Sequence, residues 1–143
     1  MRLVINQCFG GFGLSNKAIK RYLELQGKDV YFYKQTKYNH RDGYVEYTLY
    51  DGKDSGLFSI TMTKHLGDVY SGEIYNKENS EYSFYVGDLK RDDPILVQVV
   101  EELTEEADGS CAKLRIVEIP DGVDYYIDDY DGQESVHEQH RSW

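Results

Sequence analysis

The chain is poor in the residues that build metal centres, membrane spans and nucleic-acid interfaces. It has two cysteines, Cys8 and Cys111, far apart and without Cys-x-x-Cys spacing. That argues against a zinc site, and in a reducing cytosol two such residues are free thiols. No apolar stretch approaches the length of a membrane span. The apolar run at the start, Leu3-Val4-Ile5, is too short for a signal peptide. A cytosolic protein is the expectation. Basic residues are also scarce: 16 Lys and Arg face 26 Asp and Glu, for a net charge of −10. A polyanion needs a basic footprint, so long nucleic acid is a poor partner. A small phosphorylated ligand is not excluded, because one or two arginines and a helix N-terminus neutralise a pyrophosphate locally.

What the chain does have is 40% hydrophobic residues and 14 tyrosines. That is too apolar and aromatic for disorder. At 143 residues one domain with a real core is expected, spanning 1–143. Residues 3–7 read as a strand. Ser15 reads as the N-cap of a helix with Ala18, Ile19, Tyr22 and Leu23 on its apolar stripe, ended by Gly27. A run of strands follows over Asp29–Tyr38, Tyr44–Tyr50, Gly56–Thr63, Val69–Tyr75 and Glu81–Val86, with a polar loop at Asn76–Ser80. The short connections predict an antiparallel meander. Asp93 and Pro94 open a second helix whose Ile95, Leu96, Val99, Val100 and Leu103 face the core. Lys113–Ile119 reads as a strand, Val123–Tyr130 as strand or helix, and Gln133–His140 as a short terminal helix. The fold class is therefore α+β, with an antiparallel β-rich middle, an N-terminal strand-loop-helix and C-terminal helices.

The segment with most chemistry is Asn6-Gln7-Cys8-Phe9-Gly10-Gly11-Phe12-Gly13-Leu14-Ser15. Glycines permit close backbone approach, a helix N-terminus suits phosphate, and phenylalanines offer stacking faces. The segment matches neither Walker A nor the Rossmann fingerprint. A tight strand-to-helix turn with two core phenylalanines explains it equally well. Arg91 stands just before the Asp93 cap, as an anion ligand or as the surface partner of Asp92 or Asp88. Arg115 shares a strand face with Lys113: in a groove it seats a phosphate, and facing water it does nothing. The only tryptophan, Trp143, ends the chain, and a packed Trp143 would carry Arg141 with it. His137 and His140 lack an identifiable third ligand, so no metal is expected. Cys8 reads as a buried structural cysteine, and no nucleophile is evident. Tyrosines on both strand faces point to a second buried surface, an oligomer contact or stacked planar ligands.

Taken together, Val4-Ile5-Asn6-Gln7-Cys8-Phe9-Gly10-Gly11-Phe12-Gly13-Leu14-Ser15, Arg91-Asp92-Asp93-Pro94 with Val99-Val100-Glu101-Glu102-Leu103, Val117–Asp121, and Tyr126–Gly132 through His140-Arg141-Ser142-Trp143 resemble a family of small phage proteins. It is the first-described anti-Thoeris sponge family. The resemblance covers both ends and leaves residues 28–86 as β-rich only. It implies a phage anti-defence protein of the host cytosol. Such a protein binds the Thoeris immune signal, a glycocyclic ADP-ribose isomer, and does not cleave it. It implies no cofactor, a homo-oligomer with ligand sites at subunit contacts, and in some members cyclic trinucleotides at a separate site. On this reading Asn6, Phe9, Gly10, Gly11, Phe12, Ser15, Arg91, Arg115, Arg141 and Trp143 are the candidate ligand-binding residues. Two rivals stand beside it. One is an enzyme hydrolysing ADP-ribose derivatives, since Asn6 and the Gly-Gly loop also resemble macrodomains, although that fold alternates strands and helices. The other is an acidic inhibitor that binds proteins by charge mimicry.

Overall fold

The computed structural model describes residues 1–41, 43–53, 59–73 and 80–139. The continuous apolar run at the start becomes β1, Arg2–Asn6, with Leu3, Val4, Ile5 and Asn6 all buried. Burial on both faces is what a non-alternating apolar strand requires. Ser15 caps α1, Asn16–Leu25: its Oγ accepts from the Ala18 N–H at 3.1 Å. Ala18, Ile19, Tyr22 and Leu23 are buried, the predicted stripe. At the far end the Lys28 N–H donates to the Leu23 carbonyl at 3.0 Å, and Gly27 takes a φ of 74°. This is the left-handed stop that a glycine after a helix provides.

The chain divides into two compact units, Met1–Tyr22 with Val86–Trp143, and Leu23–Tyr85. The second unit carries β2 (Tyr31–Tyr38), β3 (Tyr44–Tyr50), β4 (Ser59–Met62), β5 (Val69–Glu73) and β6 (Ser83–Phe84). They form one sheet in the order β5-β3-β2-β4-β6, every pair antiparallel. Among the described residues Phe32, Tyr33, Val45, Thr61 and Met62 are its buried ones. The Tyr33 phenol accepts from the Leu66 N–H and donates to the Gly67 carbonyl, both at 2.9 Å. A fully buried hydroxyl is thereby satisfied on both sides. Tyr47 stacks on Tyr70, and burial followed by that neighbour pushes the Tyr47 phenol up. The strand expected over Glu81–Val86 shrinks to β6, because 3-10 turns occupy Ser80–Tyr82 and Val86–Asp88. The start of the Gly56–Thr63 strand, Tyr75 and the loop over 76–79 lie outside the described residues.

In the first unit Asp93 caps α2, Pro94–Leu103, accepting from the Ile95 N–H at 2.9 Å. Leu96, Val97, Val99 and Val100 are buried. The Tyr22 hydroxyl donates to Asp93 Oδ2 at 2.5 Å and ties α1 to that cap. β7, Leu114–Glu118, pairs antiparallel with β1, Ile5 opposite Arg115. The chain then forms a hairpin of β8, Tyr125–Tyr130, and β9, Gln133–Glu138. This corrects the helix expected at Gln133–His140. Asp131 and Gly132 take φ values of 49° and 89°, and Tyr130 pairs with Gln133 around them. An Asp-Gly pair with positive φ at both positions makes the tight turn that selects a hairpin. The α+β class with its antiparallel sheet stands as expected.

Candidate functional site

Of the loop's own glycines only Gly10 is crowded, since a Cβ there would lie 2.8 Å from the Cys111 Cβ, whereas one on Gly11 would meet nothing within 4 Å; the loop's closest approaches are to glycines of other segments. A Cβ on Gly132 would lie 2.1 Å from the Gly11 nitrogen, and one on Gly109 2.8 Å from the Gly13 carbonyl carbon. The Gly10 N–H donates to the Asp131 carbonyl at 2.9 Å. The loop is therefore locked against the β8–β9 turn and the segment before β7. Gly10 and Gly11 take φ values of 118° and 110°, which glycine alone adopts readily in a tight strand-to-helix turn, but Phe9, 61% exposed, is not the core residue that the turn reading expects.

Asn6 is the hub of that lock. Its Nδ2 donates to the Cys8 and Gly132 carbonyls at 2.7 and 2.6 Å. Its Oδ1 accepts from the Cys8 and Lys113 N–H groups at 3.2 and 2.8 Å. Two donors and two acceptor sites are thus all used, and none is left for a ligand. Arg91 is committed as well. Its Nη1 and Nη2 reach the Glu134 carboxylate at 2.5 and 2.8 Å, and its guanidinium lies 3.6 Å from the centroid of the Phe12 ring. Glu134 also accepts the Asn6 N–H at 2.8 Å. The expected surface partners, Asp92 and Asp88, are not the ones Arg91 takes. Ser15 Oγ caps α1 and donates to the Glu106 carbonyl at 2.6 Å. Asn6, Phe12, Ser15 and Arg91, four of the candidate ligand residues, thus all have partners within the chain. Cys8 is exposed and not buried as expected. Arg141 and Trp143, like His140, lie outside the described residues.

Arg115 has the other fate open to it, a groove. A cleft of about 420 Å³ lies between the β1–β7 sheet and the β8–β9 hairpin. Ile5, Gln7, Arg115 and Val117 form one wall, and Asp128, Tyr130, Gln133 and Ser135 the other. The size suits a nucleotide-scale ligand. Among the described residues the Arg115 side chain has no hydrogen bond or ion pair. Glu134 lines the same cleft, but Arg91 neutralises it. Arg115 and the exposed Asp128 are thus the uncompensated charges there, one suited to a phosphate and one to hydroxyl groups. Tyr130 is 71% exposed and Phe9 61%, set edge to face with centroids 6.5 Å apart. This pair extends the cleft with an aromatic rim.

Of the residues lining the cleft, the sequence reading singles out Arg115 and names Asp128 among the acids suited to ribose hydroxyls, and it does not single out Gln7, Tyr130, Gln133 or Ser135. The missed signal was the Asp131-Gly132 turn, which sets β8 and β9 side by side. Two further contacts lie on the hairpin. Ser135 Oγ is 2.8 Å from His137 Nε2, and Tyr126 stacks on the same imidazole at 5.4 Å. Burial, then the charge of Asp92, pushes the Tyr125 phenol up. Among the described residues no group of His, Cys, Asp and Glu is placed to hold a metal ion. None of the described helices is long and apolar enough to cross a membrane. No family model, curated protein or solved structure matches the chain.

Proposed function

We propose that the protein is a phage anti-defence sponge. It sequesters the Thoeris signal, a glycocyclic ADP-ribose isomer, in the cleft beside Arg115 and releases it unchanged. The observation that carries this reading is an arginine, unpaired among the described residues, in a nucleotide-sized cleft with an exposed aromatic rim. Arg115 takes the pyrophosphate, Tyr130 and Phe9 stack on the base, and Asp128 with the Gln7 and Gln133 amides meets the ribose hydroxyls. Action in the host cytosol as a homo-oligomer, and a separate site for cyclic oligonucleotides, belong to the same proposal. Competition with a cellular effector calls for nanomolar binding, about −12 kcal/mol.

A second reading is hydrolysis of such a ligand, and the Ser135–His137 contact beside the cleft is what favours it. Native mass spectrometry of the protein mixed with a glycocyclic ADP-ribose isomer separates the two. The released small molecule is analysed after heat denaturation. Binding with intact release supports the sponge, and a changed product selects the enzyme. No binding rejects both.

A further inference from the structure

The two-stranded sheet of the first unit has one covered edge and one open edge. Met1 and Ile119 exchange both backbone bonds at 2.8 Å, and the Gln7 N–H donates to the Lys113 carbonyl at 2.8 Å. Antiparallel pairs alternate between bonded and non-bonded. Val4 and Ile116, opposite each other, therefore both turn their backbone groups outward. On the β1 side those groups are met: the Val4 N–H donates to the Arg91 carbonyl at 2.9 Å, and the Val4 carbonyl accepts Arg91 Nη1 at 3.3 Å. On the β7 side only the Leu114 N–H is met, by Asp108 Oδ1 at 2.9 Å. The Leu114 carbonyl and both backbone groups of Ile116 and Glu118 have no partner among the described residues.

A groove of about 580 Å³ follows this edge. Val100, Thr104 and Glu105 stand on one side, and Leu114, Arg115 and Ile116 on the other. Residues from both faces of β7 line it, so it runs along the strand's rim. Thr104 holds a φ of 52°, which a β-branched residue adopts only under strain. The charges divide across the groove. Glu105 on the helix side and Lys113 on the strand side have no side-chain ion pair among the described residues.

We propose that the free edge of β7 takes an extended segment of another protein as a third strand. This proposal does not rest on the nucleotide reading, although Arg115 lines both the cleft and this groove. Alternate side chains of an added strand point to opposite faces. Those facing α2 meet Val100, Leu114, Ile116 and Glu105, which fits an apolar residue flanked by cations. Those on the other face meet Lys113 and Arg115, which fits carboxylates. A second copy of this chain, with a net charge of −10, is the less complementary occupant.

The test is backbone hydrogen exchange on the full chain with a short blocked peptide reading threonine, lysine, glutamate, valine, glutamate, lysine, threonine. In dilute protein the Ile116 and Glu118 amides exchange freely. With peptide at about 1 mM they slow at least about tenfold. The charge-inverted peptide, and one N-methylated on the amides facing the edge, fail to protect them. Glu105→Lys, an exposed change, weakens the effect while the Leu3 and Ile5 amides stay protected. The proposal is overturned if Ile116 and Glu118 are already protected in dilute protein, or if no peptide slows them. It is equally overturned if protection rises with the protein's own concentration, which would place a second copy on the edge.

Discussion

Replacing Arg91 by alanine tests whether this residue holds the fold or waits for a phosphate. Its side chain is 20% exposed and that of its partner Glu134 is 5% exposed. Arg91→Ala leaves the Glu134 carboxylate buried with the Asn6 N–H as its remaining hydrogen bond. Breaking one side of a buried pair costs about 3–5 kcal/mol. Partial exposure of Arg91 lets water reach the vacated site and places the cost near about 3 kcal/mol, with about 0.5–1 kcal/mol more from the lost face of Phe12. Glu134→Ala costs a similar amount by stranding the guanidinium. The double change Arg91→Met with Glu134→Leu removes both charges, so its cost falls short of the sum by about 2–3 kcal/mol. With a urea m-value of about 2 kcal/mol/M, each single change lowers the midpoint by about 1.5 M. Because the chain has two compact units, exchange of the Leu3 and Val4 amides is the companion assay that reports the first unit alone. A cost under about 1 kcal/mol for the single changes, or simple additivity in the double, would refute the reasoning.

Arg115→Ala should leave stability within about 0.5 kcal/mol, since the side chain is exposed, and weaken binding of the glycocyclic ligand about 10- to 100-fold. Calorimetry reads the second and urea unfolding the first. Gly132→Ala should destabilise by more than about 2 kcal/mol, because its Cβ would meet the Gly11 nitrogen at 2.1 Å. Gly122→Ala, also at positive φ but with open space around it, should cost only about 1 kcal/mol. Hydrogen bonds from Arg21, then from Gln98, hold the Glu102 carboxyl below its usual range. Its contribution to stability is therefore present above the unfolded value, about 4.3, and lost as pH falls through the lower folded value. Carboxyl NMR titration checks this, and Arg21→Ala should move Glu102 back up.

Local signals in this chain were legible where the cause was local. The Ser15 and Asp93 caps, the Gly27 stop and the apolar stripes of both helices follow from side-chain chemistry within a few residues of each position. Strong strand formers place β2 and alternation places β3 for the same reason, and the short apolar run Leu3-Val4-Ile5 marks β1 as a strand. The Asp131-Gly132 turn is equally local, yet the reading of Gln133–His140 as a short terminal helix passes over it. A two-residue turn with positive φ overrides weak periodicity once its flanking strands pair.

Tertiary structure alone decided what each polar residue is for. Asn6, Ser15 and Arg91 have the chemistry of ligand residues, and the sequence cannot say that Gly132, Glu106 and Glu134 reach them first. These partners stand 43 to 126 positions away along the chain. Arg115 is the converse case. Its alternation with Leu114 and Ile116 put it on a strand face, but only the folding of the β8–β9 hairpin over that face made a cleft of it. Composition and short-range pattern thus determined the elements and the α+β class. The pairing of distant segments determined which charges found a partner within the fold and which, among the described residues, did not.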